Sequence, residues 1–165
     1  MIVRALSLLA IAALLQTSQP PAMRDENATL RGRLAGSVAV VVGKVVDSPH
    51  RLPWRGPGGE HTPDWWAAPV RVSSTLSGER QKGVIQVAFA YAYENTWEAS
   101  PKLRPGEEAI FLLHRFERKE MQERAHNALE VPPVEGFLVI DPQDVQPLSG
   151  LERIQTLLKT MRTSR

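Results

Sequence analysis

The side chains best suited to chemistry are concentrated in residues 48–69, a stretch without a periodic hydrophobic pattern. Connections of this length inside compact domains are uncommon, and they are usually either functional or disordered. The stretch holds three of the chain's four tryptophans, Trp54, Trp65 and Trp66, together with the cation Arg55. Aromatic rings that face solvent can stack on sugar rings or bases. These four side chains are therefore the predicted ligand-binding residues.

A second interpretation of two of these tryptophans stays open. Trp65 and Trp66 directly precede an alternating apolar pattern, so they can begin a strand and fill one end of a core. Tryptophan often has this role when its N–H finds a hydrogen-bond partner. The sequence alone leaves both interpretations standing.

Histidines in the same stretch raise the question of a metal or an enzyme. His50, His61 and Asp64 are residue types that bind zinc, but their spacing matches no known ligand signature. His114 ends a predicted strand without a serine or cysteine motif, which favours a structural role. We therefore predict no metal, cofactor or catalytic residue. The alternative is an envelope hydrolase or a metal-dependent enzyme that uses these residues.

Composition limits the class of protein. A chain of 165 residues, 42% hydrophobic and 23% charged, suits one globular domain with appendages. Its 20 basic and 18 acidic residues nearly cancel, so no general attraction to nucleic acid is expected. There is no cysteine, which excludes disulfides, thiol nucleophiles, thiolate zinc sites and a lipidated cysteine anchor.

The N-terminus has the pattern of a secretory signal peptide. Arg4 precedes the apolar residues 5–15, and Pro20 and Pro21 end the run. This run is shorter than the roughly 20 residues that a membrane span requires. We expect residues 1–22 to be cleaved, which leaves no stable membrane span. Export without cysteines indicates a bacterial protein that is periplasmic or secreted.

Two helices are predicted outside the core. Residues 23–36 form a linker with a short helix over residues 27–35, capped by Asp25 or Asn27 and ended by Gly36. Residues 149–165 form a C-terminal helix packed on the core. Its apolar face contains Leu151, Ile154, Leu157, Leu158 and Met161.

Residues 37–148 are predicted to form the β core. Strands are expected at residues 38–47, 70–76, 83–91, 108–116 and 136–140. Residues 109–113 are apolar throughout, which indicates a strand buried on both faces, and Gly43 marks a bulge or a coiled position. We predict a mainly β fold, a five-stranded antiparallel OB-like barrel, since closure removes exposed edges. A sandwich is the alternative architecture, and α+β is the alternative class.

Three segments, VVVGKVVD, PDWWAAPVRVSSTLSGE and PKLRPGEEAIFLLHR, resemble a pattern in small exported bacterial proteins. In that pattern, VxGxV and VxVxxxLKG strands precede a PGE turn and an IFLL strand. The layout is similar to the OB-like barrel of tissue inhibitors of metalloproteinases and netrin-type modules. The inhibitors chelate zinc through an N-terminal cysteine, which is absent, and Ser77 replaces the lysine of LKG. The resemblance, over residues 37–148, implies the barrel and no site residue.

Together these observations predict an exported, non-catalytic binding or interaction module of the bacterial envelope. Its expected partner is an envelope protein or a glycan, contacted through residues 48–69. A purely structural envelope protein is a further alternative.

Overall fold

The computed structural model describes residues 21–52, 64–91, 98–115 and 136–163. Their two α-helices are α1, Pro21–Gly36, and α2, Leu151–Thr163. Short 3-10 helices follow the last long connection, at Pro142–Asp144 (η1) and Leu148–Gly150 (η2). The strands are β1 Ala39–Val45, β2 His50–Arg51, β3 Asp64–Gly78, β4 Val84–Tyr91, β5 Glu108–Arg115, β6 Phe137–Val139 and β7 Val145–Pro147.

Five of these strands close into a barrel, which confirms the predicted mainly β fold with a C-terminal helix. The order around the barrel is β1, β3, β4, β6 and β5, and β5 pairs back with β1. The short strands β2 and β7 pair with the parts of β3 and β5 that lack a barrel neighbour on one edge. Closure gives every barrel strand two neighbours along at least part of its length.

One pairing differs from the antiparallel expectation. β4 and β6 run parallel, with Val87 opposite Phe137 and Phe89 opposite Val139, while the other barrel pairs are antiparallel. The reason is geometric, because a closed ring with an odd number of strands cannot alternate direction at every step. The chain makes the parallel pair where the long connection after β5 returns it to the sheet.

Gly43 lies at an irregularity of β1, as its sequence context indicated. Val42 is opposite Ser74 whereas Gly43 is opposite Val72, so the register with β3 shifts between them. A Cβ atom at Gly43 would lie 2.7 Å from Val70 Cγ1 and 3.0 Å from the Arg71 carbonyl oxygen. The absence of a side chain therefore allows β1 and β3 to approach closely.

β5 is buried on both faces, which confirms the prediction for residues 109–113. Ala109, Phe111 and Leu113 point into the barrel, where they pack with residues of β1, β3 and β4. Ile110 and Leu112 point outward, into a second apolar layer under the helices. β5 therefore belongs to two cores at once.

The two helices cover the outer face of β1 and β5. Leu30 and Leu34 of α1 and Ile154 of α2 pack against Ile110 and Leu112. The expected packing of the C-terminal helix on the barrel is confirmed. The N-cap prediction at Asp25 or Asn27 was wrong, because α1 begins at Pro21, a residue that the first helical turn tolerates. The helix ends at Gly36, as predicted.

Within the described part of the chain, neither helix combines the length and apolar character that crossing a bilayer requires.

Candidate functional site

The structure separates the predicted tryptophans. Trp54 and Arg55 lie outside the described residues, so their role stays a prediction. Trp65 and Trp66 are the second and third residues of β3, which confirms that they begin a strand. Successive residues of a strand point to opposite faces, so the two rings cannot form one stacking surface.

Trp65 packs on the outer face of β3 and β4. Its ring lies against Ala88, Ala90 and Leu138, with Leu52 beside them, and only 1% of the residue is exposed. This is the core role that the second interpretation described. Trp65 presents almost no surface to a ligand in this arrangement.

Trp66 points the other way, toward the end of the barrel interior. It is half-buried and packs against the edge of the interior core. Its ring centroid lies 5.3 Å from that of Tyr91, with the planes tilted by 43°. Its Nε1 is buried, and within the described ranges no acceptor lies within hydrogen-bonding distance of it. A buried N–H without a partner costs about 1–3 kcal/mol, so an acceptor that reaches this group would lower the free energy of the site.

Lys102 supplies a cation next to this aromatic pair. Its Nζ lies 5.9 Å from the ring centroid of Tyr91 and donates hydrogen bonds to the carbonyls of Ala90 and Ser100 at 3.0 and 2.9 Å. Burial lowers the pKa of Lys102. We refer to Trp66, Tyr91 and Lys102 as the Trp66 site. Its combination of two aromatic rings, one N–H donor and one cation suits a polar ligand with an apolar ring face.

The residues that suggested a metal or an enzyme are arranged differently. His50 is exposed on β2. Asp64 forms an ion pair with Arg51, with 2.5 Å between Oδ1 and Nη2, and both side chains are about half exposed. His61 lies outside the described residues. Over the described ranges, no three histidine or acidic side chains form a group able to hold a metal ion.

His114 belongs to a separate ion cluster, defined by Arg33, His114 and Asp144. The Asp144 side chain is fully buried and accepts bonds from Nε and Nη2 of Arg33 at 2.8 and 2.6 Å. Nε2 of His114 lies 3.0 Å from the same carboxylate. The amides of Ile140 and Asp141 also donate to Asp144, each at 2.9 Å. The carboxylate is therefore surrounded by donors on both oxygens.

Both ring nitrogens of His114 are engaged in this cluster. Nδ1 donates to the carbonyl of Gly36 at 3.1 Å, while Nε2 faces Asp144 and lies 3.1 Å from Nη2 of Arg33. Neither nitrogen is left to exchange a proton with a substrate. The cluster instead connects three elements, since Arg33 comes from α1, His114 from β5 and Asp144 from η1.

Burial alone would raise the pKa of Asp144. The hydrogen bonds from His114, Arg33 and the Ile140 amide together outweigh that effect and hold the pKa of this carboxyl below its usual range. The carboxylate therefore stays ionised in the folded protein at neutral pH.

Sequence reasoning missed Asp144. A local signal was present, because Asp141 and Asp144 flank Pro142 in the pattern of a capping box with proline at the first helical position. In the structure Asp141 accepts from the Gln143 amide, and Asp144 accepts from the Asp141 amide. Such a pattern is typical of a tight turn. It did not reveal the distant partners of the second aspartate.

No protein-family model matches this chain, and no significant match was found among curated proteins. The class of protein is therefore defined by the fold: a small closed β-barrel with two helices on one side.

Proposed function

We propose that this chain is an exported, non-catalytic binding module of the bacterial envelope, and that the Trp66 site contacts its ligand. The observation that carries the proposal is the half-buried ring of Trp66, which packs near Tyr91 while the Lys102 cation lies beside the Tyr91 ring. Aromatic side chains together with a few polar groups are the usual lining of ligand-binding sites.

The position of the site in the barrel supports this proposal. The Trp66 site lies where β3 begins, directly after residues 53–63, which connect β2 to β3. The ring of five strands agrees with an OB-like barrel, a fold in which the connection between the first two barrel strands helps to line the ligand face. Trp54 and Arg55 belong to that connection, and we propose that they complete the site.

Export remains part of the proposal on the basis of residues 1–22. Their basic residue, short apolar run and terminal prolines support a cleaved signal peptide, and the lack of cysteine supports a bacterial source. The expected partner is a glycan or a protein of the envelope.

The described geometry gives the enzyme alternative little support. The carboxylate of Asp64 is paired with Arg51, and both ring nitrogens of His114 are engaged. In the structural-protein alternative, Trp66 would bind nothing, so the following experiment separates it from the binding module.

The test is titration of the mature protein with soluble cell-wall glycan fragments and purified envelope proteins, followed by tryptophan fluorescence and calorimetry. We expect one of these ligands to shift the emission. Trp66→Ala should weaken its affinity about tenfold or more, because loss of one stacked ring costs roughly 1–3 kcal/mol. Trp54→Ala tests the contribution of the preceding connection.

Trp65→Phe is the matched control, since Trp65 is the neighbouring tryptophan on the opposite face of β3. It should leave the affinity unchanged, and Trp66→Phe should retain part of it through the remaining ring. Circular dichroism verifies that each variant is folded. The proposal fails if no ligand of the panel binds, or if the Trp65 and Trp66 variants lose affinity equally.

A further inference from the structure

A second concave surface lies on the β3–β4 hairpin, away from the Trp66 site. β4 pairs with β3 only as far as Arg71, opposite Val84, and the rest of β3 is paired on one edge alone, with β1. Residues 79–83 turn back beside the other edge of β3. An open groove of about 660 Å³ lies between them and β3. This volume is within the range of small-molecule sites. Thr75 and Trp66 are roughly 30 Å apart along β3, at a rise of about 3.3 Å per residue, so the groove is separate from the Trp66 site.

The groove is cationic and rich in hydroxyl groups. Three cations line it: Arg80 and Lys82 from the hairpin loop and Arg162 from the end of α2. None of the lining residues that the structure describes is acidic. The polar groups beside the cations are those of Ser73, Ser74, Thr75, Ser77 and Gln81.

The nearest acidic residue of the loop does not neutralise this charge. Glu79 is engaged by Arg115, with 2.5 Å between Oε2 and Nη2. With a net charge of only +2 for the whole chain, the positive charge of the groove is a local feature. It therefore attracts anions to this place rather than to the protein as a whole.

Hydrogen bonds hold the walls of the groove in position. Thr75 Oγ1 accepts from the Gln81 amide at 3.1 Å and lies 3.2 Å from the Gln81 carbonyl, to which its hydroxyl donates. Nη2 of Arg162 donates to the carbonyl of Leu76 at 3.2 Å. Gly78 has a φ of 78°, and a Cβ there would lie only 2.1 Å from the Val38 carbonyl oxygen. These contacts hold the backbone of the groove in place, which reduces the entropy that its walls lose on binding.

We propose that this hairpin groove binds an oligoanion, a ligand that carries several phosphate groups. Guanidinium, ammonium and hydroxyl groups are the donors that proteins use for phosphate oxygens. Three cations from two separate elements can contact more than one phosphate. No aromatic residue is among the lining residues in the described ranges, whereas proteins that bind single-stranded nucleic acid combine cations with rings that stack on bases. The chemistry therefore favours a chain of phosphates over a nucleic acid.

The test is calorimetric titration of the mature protein with tripolyphosphate at low ionic strength, where screening is weak. The groove variant is Arg80→Ala combined with Lys82→Ala. The control variant, Arg31→Ala combined with Arg104→Ala, removes the same charge from exposed positions outside the groove. We expect the wild type to bind tripolyphosphate and the groove variant to bind it at least about tenfold more weakly. The affinity of the control variant should stay within about twofold of the wild-type affinity.

Two further arms identify the source of the phosphates. If the wild type binds phosphatidylglycerol vesicles, the groove variant does not, and neither binds phosphatidylcholine vesicles, the anion is a lipid headgroup. Binding of tripolyphosphate alone would assign it to a free oligoanion. Oligothymidylate of equal charge tests nucleic acid.

The proposal is overturned if neither tripolyphosphate nor phosphatidylglycerol binds, if both double variants lose affinity equally, or if oligothymidylate binds more tightly than tripolyphosphate. The outcome does not depend on the Trp66 site, because neither variant touches it.

Discussion

At the scale of single residues, Asp144 connects several elements outside the apolar cores. Its buried carboxylate receives donors from α1, β5 and the chain before η1, so one side chain connects parts of the sequence that are far apart. A buried charge is tolerated only where such donors surround it. The stability of the cluster should therefore depend on the charge of Asp144.

We expect stability to fall in acid because of this residue. The pKa of Asp144 is lowered in the folded state, whereas an unfolded aspartate titrates near about 3.9. The contribution is fully present above the unfolded value and is lost as the pH falls through the folded value, because only the unfolded chain takes up the proton in that window. Urea unfolding between about pH 7 and about pH 3 measures the loss.

Two substitutions separate this effect from that of other carboxylates. Asp144→Asn should lower the free energy of unfolding at neutral pH by about 2–3 kcal/mol, since it leaves the Arg33 guanidinium facing a neutral group, and it should flatten the acid dependence. Asp64→Asn alters an exposed, paired carboxylate and should change both quantities little. Parallel acid curves for wild type and Asp144→Asn would contradict this role.

At the scale of elements, β1 depends on the bulge at Gly43. This residue allows the strand to shift its register with β3 while it keeps a regular register with β5. A side chain at this point would collide with Val70 and with the backbone of β3. The two pairings of β1 therefore require glycine here.

Gly43→Ala should destabilise the protein by about 1–3 kcal/mol, the usual cost of forcing an atom into a packed interior. Gly32→Ala is the matched control, because a Cβ there meets nothing within 4 Å on the exposed side of α1. It should stabilise by roughly 0.5–1 kcal/mol through helix propensity. Chemical denaturation of both variants checks the pair. Equal stability of Gly43→Ala and wild type would show that the bulge relaxes freely.

Sequence patterns predicted the longer elements and the short strand β6, but they missed the short strands β2 and β7. β1, β4, β5 and α2 each carry enough residues to show a period of two or of 3.6. The strands β2 and β7, of two and three residues, show no period and exist because neighbouring strands offer free edges. The alternation of apolar and polar residues along a strand does not show whether its neighbour runs parallel or antiparallel. The parallel pair of β4 and β6 results from the closure of five strands into a ring.

The candidate site was predictable only in part. Three tryptophans in one aperiodic stretch drew attention to the beginning of β3, but the pattern could not decide which ring faces the core. Trp65 and Trp66 were distinguished only by their partners on β4, which lie more than twenty residues further along the chain. The groove at Arg80 and Lys82 was missed because Arg162 comes from the other end of the chain.

At the scale of the whole molecule, β1 and β5 separate two apolar layers. One layer fills the barrel, and the other lies between the sheet and the two helices, with Ile154 fully buried at its centre. Since the same strands line both layers, barrel and helices should unfold together.

Ile154→Ala should lower the free energy of unfolding by about 2–5 kcal/mol, because it leaves a cavity under α2. The helical signal in circular dichroism and the fluorescence of the barrel tryptophans should still report one transition. Gln155→Ala, an exposed change on the same helix, should stay within about 0.5 kcal/mol of wild type. Two separate transitions in the wild type would refute the coupling of the layers.

The closing pair of the barrel also has a consequence for biosynthesis. β1 is the first strand to leave the ribosome, but one of its edges stays unpaired until β5 has been synthesised. The hydrogen bond from the Val38 amide to the Leu113 carbonyl belongs to this late pairing. Until then a valine-rich segment has an unpaired edge, the kind of edge that promotes aggregation.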